Sequence, residues 1–134
     1  MKKRIILLRT AGFVCVLFML THLAFQSVLN WNDSLACLSS SDRAIMLTYH
    51  YISILLLGYM AVVLLFQAKE ILISKLRYSL LGMIILFFII RITTEFTLFG
   101  WSIPDSPVIL FMCMLPVFLL VLSILYRPLD HENK

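Results

Sequence analysis

Charge is scarce in this sequence. Of its 134 residues only 13% are Asp, Glu, Lys or Arg, about half the usual share of a soluble domain. Glycine and proline are equally sparse, at four each, and no Gly-rich phosphate loop, no GxGxxG and no GxSxG nucleophile elbow occurs. Low-complexity tracts, repeats and linkers long enough to separate domains are absent as well. The three cysteines, Cys15, Cys37 and Cys113, form neither a CxxC pair nor a zinc spacing. That excludes the cycling cysteine pair on which four-helix membrane disulfide oxidoreductases depend. Cys15 and Cys113 lie inside apolar runs and read as small buried hydrophobes.

Apolar surface is what the chain has in quantity. Hydrophobic residues make up 62%, and the mean hydropathy is +1.01. So short a chain has too little interior to bury that many apolar side chains, so a soluble monomer is excluded and lipid is the remaining solvent. Four apolar runs are present, approximately 5–29, 44–66, 78–99 and 108–126. Each is near or above the roughly 20 residues that cross a bilayer as a helix. Helix is the required form because lipid offers no partner to unpaired backbone groups. The alternating short segments of a β-barrel do not occur. The expected architecture is therefore all-α, a polytopic membrane protein forming one four-transmembrane-helix bundle over 1–134. The connections read as turns: polar Asn30 to Arg43, a basic turn from Gln67 to Arg77, and Gly100 to Pro107 with its two prolines.

The net charge of +4 records orientation rather than nucleic-acid binding. Lys2, Lys3, Arg4 and Arg9, then Lys69, Lys75 and Arg77, then Arg127 and Lys134 all fall on one side of a four-span topology. Arg43 alone falls on the other. The positive-inside rule puts both termini in the cytoplasm, with a bacterial inner (plasma) membrane as the expected location. Arg9 is close enough to its helix end to snorkel. A cleaved signal peptide is disfavoured, because the first run is long, contains Arg9 and lacks a clean small-x-small site.

The informative residues are the polar ones inside the spans. Arg91 and Glu95 stand in the third run, four residues apart and so on one helix face. Each charge near a helix centre costs roughly 2.5–3.5 kcal/mol, so both are expected to face the bundle or a wet cavity. Thr94 extends that face. The first run carries His22, followed by Gln26 and Asn30 at steps of four. The second carries His50, flanked by Tyr49 and Tyr51. Spans alternate in direction, which places His22, His50, Arg91 and Glu95 at similar depth in the outer leaflet, with Gln26 slightly nearer the surface.

Two readings of this cluster stand side by side. One is a structural polar core that fixes helix register. The other is a ligand-binding site formed by His22, Gln26, His50, Arg91 and Glu95, open to the outer face and taking or passing a small polar or anionic ligand or a proton. No cofactor is expected. The sharpest alternative is haem b between His22 and His50, with a metal held by His22, His50 and Glu95 as a related one. Arg91 weighs against the metal, since a fixed cation disfavours another. The remaining alternative is an accessory subunit of a larger membrane complex. Expected partners are the lipid bilayer and either a second copy or another membrane subunit, with no nucleic acid. Pro116, in the middle of the fourth run, is expected to kink its helix, as a static bend or as a hinge.

Overall fold

The structure, a computed structural model, describes residues 1–99 and 105–126. Helix α1 spans Lys2–Val28, α2 Trp31–Ser34, α3 Ser40–Phe66, α4 Ala68–Ile73, α5 Arg77–Thr94 and α6 Asp105–Leu125; a π-helical segment, Glu95–Phe99, extends α5. No strand occurs among the described residues. Four helices, Lys2–Val28, Ser40–Phe66, Arg77–Thr97 and Pro107–Leu125, are long and apolar enough to cross a membrane. These agree with the four apolar runs to within a few residues.

Local chemistry sets the helix ends. Asn30 stops α1 by adopting a left-handed backbone, φ 46°, a conformation Asn tolerates better than most residues. Its side chain donates to Asp33 Oδ2 at 2.6 Å, which holds the turn into α2. Ser39 caps α3: its Oγ accepts from the Asp42 N–H at 3.2 Å and donates to Asp42 Oδ2 at 2.7 Å, satisfying one of the orphan donors of a helix start. The hydroxyls within the long helices bond one turn back. Thr10 donates to the Ile6 carbonyl, Ser53 to Tyr49, Thr94 to Ile90 and Thr97 to Thr93, the arrangement lipid demands of a hydroxyl that has no water.

The segment from Gln67 to Arg77 differs from the expected turn. Gln67 closes α3 and opens α4, a six-residue helix whose Ala68, Ile71 and Leu72 are buried against α1. The basic residues mark this segment as polar, but the apolar triplet spaced along one helix face gives it a packing role. Gly100 to Pro104 of the third connection, together with Arg127 and Lys134, lies outside the described residues; Pro107 falls in the first turn of α6, where a proline costs no intrahelical bond.

Helix α1 is the centre of the bundle. It packs against α3 on one side and α6 on the other, and α5 packs against α6. The order around the bundle is thus α3, α1, α6, α5, and α3 and α5 do not close the ring with a packed face of their own. The α1–α3 crossing is tight. A Cβ placed on Gly12 would stand 2.9 Å from Leu64 Cβ and 2.9 Å from Leu65 Cγ. At the basic end, Arg4 Nε donates to the Ser123 carbonyl at 2.7 Å, joining the start of α1 to the end of α6. Pro116 lies fully buried inside α6. Cys15 and Cys113 are fully buried free thiols, and Cys37 is exposed. Outward faces are apolar: Leu55, Met83 and Phe111 are each more than two-thirds exposed.

Candidate functional site

Because α3 and α5 stand apart, their facing side chains border a cleft of about 780 Å³, within the range of small-molecule sites. Tyr49, Ser53 and Leu57 line it from α3, and Phe87, Phe88, Ile90, Arg91 and Thr94 from α5. Phe18 and His22 of α1 and Cys113 of α6 form its back wall. Arg91 lies 14 residues into α5, about 21 Å along the helix at 1.5 Å per residue, toward the end opposite the basic one.

The expected pairing within α5 is present. Arg91 Nη1 donates to Glu95 Oε2 at 2.7 Å. The two ends of this pair differ in environment. The Glu95 side chain is 9% exposed and the Arg91 side chain 35%. The carboxylate therefore sits inward and the guanidinium reaches the cleft. A guanidinium has five N–H donors, and the bond to Glu95 is the one its side chain makes among the described residues. The rest of the guanidinium borders the cleft, whose lining is largely apolar. The π-helical segment begins at Glu95, directly after the turn that carries Arg91; π segments recur at functional sites because they redirect side chains. Nothing in the spacing of residues 91–99 announces it.

The five site residues expected from sequence are divided among three environments. His22 and Arg91 line the cleft, and Glu95 stands behind Arg91. His50 is buried beside His22, their rings 6.1 Å apart and inclined by 19°. Trp31 of α2 meets His50 edge-on at 4.7 Å, and Tyr51 does so at 5.7 Å. Gln26 belongs elsewhere. Its amide donates to the Tyr51 hydroxyl at 3.0 Å, and it lines a second, smaller cavity of about 190 Å³ with Trp31, Asn32 and Arg43 under the α1–α3 connection. Asn30, the next step of the stripe, is consumed by the turn. Tyr49, Ser53 and Thr94 join the cleft, together with the aromatic residues Phe18, Phe87 and Phe88, whose contribution an apolar span conceals.

His22 Nδ1 lies 2.9 Å from the Phe18 carbonyl. A carbonyl only accepts, so Nδ1 carries the proton, and in the neutral ring Nε2 is left as an acceptor. A haem held by both histidines needs the two imidazoles on one cavity. The cleft presents His22 alone, while His50 is enclosed by Trp31, Tyr51 and His22, so the arrangement does not fit that group. Nor do His22, His50 and Glu95 converge: among the described residues no three His, Cys, Asp or Glu side chains stand close enough to hold a metal ion.

Comparison of the chain with protein-family models, with curated proteins and with solved structures finds no match. The functional reading therefore rests on the cleft itself.

Proposed function

We propose that the chain is an integral membrane protein that binds a small polar ligand at Arg91, in the cleft between α3 and α5. The observation that carries this reading is the asymmetric exposure of the Arg91–Glu95 pair. The carboxylate anchors the guanidinium from behind, and the guanidinium borders the cavity with donors that have no other partner among the described residues. His22, Tyr49 and Thr94 supply the other polar groups near it. Lys2 to Arg4, Arg9 and the basic residues of 67–77 set the proposed orientation, with both termini cytoplasmic and Arg91 in the outer leaflet of a bacterial inner membrane. His50 and Gln26 serve this site indirectly, one packed against His22 and the other tying α1 to α3 through Tyr51.

The test is native mass spectrometry of gently purified protein. Wild type is expected to retain a noncovalent adduct that Arg91→Gln loses while the variant keeps its helical circular dichroism. Identical adduct patterns on the two folded proteins would refute the reading.

A further inference from the structure

The polarity of the cleft changes in one direction along three of the helices that border it. On α1, Phe18 lies one turn nearer the basic end than His22. On α5, Phe87 and Phe88 lie about one turn nearer it than Arg91, with Thr94 beyond. On α3, which runs the opposite way, Leu57 lies nearer it than Ser53 and Tyr49. One end of the cavity is thus aromatic and aliphatic, and the other presents hydrogen-bonding groups. A ligand matching this gradient has a polar head and an apolar body. The size matches one chain rather than two. At ~30 Å³ for a water-sized group, 780 Å³ holds on the order of two dozen heavy atoms, as in a single acyl chain with a small head.

Charge balance selects the head. Glu95 already neutralises Arg91, so an added anion would leave the site with net negative charge in surroundings of low dielectric. A neutral oxygen acceptor takes the N–H groups of Arg91 that have no partner among the described residues, with no such cost. His22, with its proton on Nδ1, offers Nε2 to a hydroxyl donor. Resting on the reading of Arg91 as the polar site, we infer that the ligand is a neutral single-chain amphiphile of the monoacylglycerol kind. Its carbonyl accepts from Arg91, its hydroxyl faces His22, and its chain lies on Phe18, Leu57 and Phe88. The unpacked α3–α5 seam is its route from the bilayer.

The experiment uses the full chain in lipid nanodiscs and a monomyristoylglycerol carrying a diazirine at the end of its chain, with adducts mapped by mass spectrometry. Labelling is expected on Phe18, Leu57, Phe87 or Phe88. Unlabelled monomyristoylglycerol should displace the probe at about tenfold lower concentration than myristate, at a pH where myristate is ionised. In Glu95→Gln, which keeps a hydrogen-bond acceptor but removes the counter-charge, that preference should invert. Labelling confined to outward residues such as Leu55, Met83 and Phe111, and unaffected by competitor, would overturn the inference, as would a wild-type preference for myristate. The wild-type measurements alone decide this, whether or not the variant folds. Should cleft labelling be absent while the native adduct is still lost in Arg91→Gln, the amphiphile inference falls and the polar-site reading stands. Should Arg91→Gln leave both adduct and competition unchanged, the polar-site reading falls.

Discussion

Three glycines grade the packing of the bundle and make its geometry measurable. At Gly12 a methyl group would stand 2.9 Å from Leu64 Cβ and Leu65 Cγ and 3.1 Å from the Leu65 backbone nitrogen. Comfortable carbon–carbon contact is ~3.5–4.0 Å, a shortfall of roughly 0.6–1 Å. Leu64 Cβ and the Leu65 nitrogen belong to the helix itself and cannot rotate aside, so α1 and α3 must separate. Overpacking of this kind costs about 1–3 kcal/mol. At Gly82 nothing lies within 4 Å, so Gly82→Ala meets no steric penalty and gains up to ~1 kcal/mol of helix propensity. Gly58 is intermediate, since its one close neighbour is Met19 Sδ at 3.2 Å, the movable part of a flexible side chain. Reversible unfolding of the three alanine variants in one detergent, followed by circular dichroism, should rank them Gly82→Ala most stable, Gly58→Ala next and Gly12→Ala least. If Gly12→Ala matches Gly82→Ala, the α1–α3 crossing is not as close as described.

Glu95→Ala removes the counter-charge and the acceptor from Arg91 together. Because the guanidinium retains partial access to the cleft, the expected loss is about 1–3 kcal/mol rather than the larger cost of orphaning a sealed charge, read in the same unfolding assay; no loss would show that the pair contributes nothing to the fold. A membrane-impermeant maleimide should label the exposed Cys37 in intact cells carrying Cys15→Ala and Cys113→Ala, and labelling only after lysis would reverse the proposed orientation.

The four long helices were legible because length and hydropathy alone define them. The Arg91–Glu95 contact was legible too, since residues four apart share a helix face and two charges in lipid have every reason to meet. The order of the helices was not. In a soluble bundle an apolar stripe tells which face turns inward, but here outward residues such as Leu55 and Phe111 are as apolar as the core, and the pattern carries no such contrast. That is why Gln26 and His22, one turn apart on α1, could not be assigned to different cavities. It is also why the sequence of α4 reads as a turn, since Ile71 and Leu72 acquire meaning only once α1 lies beside them.

The containment of the ion pair within one helix has a consequence for biogenesis. The chain leaves the ribosome N-terminus first, so α5 emerges before α6, the helix against which it packs. Arg91 and Glu95 need no second helix to find each other. The segment therefore carries its own neutralisation through insertion and can wait in lipid for its neighbour, and a counter-charge relocated to α6 would forfeit that independence.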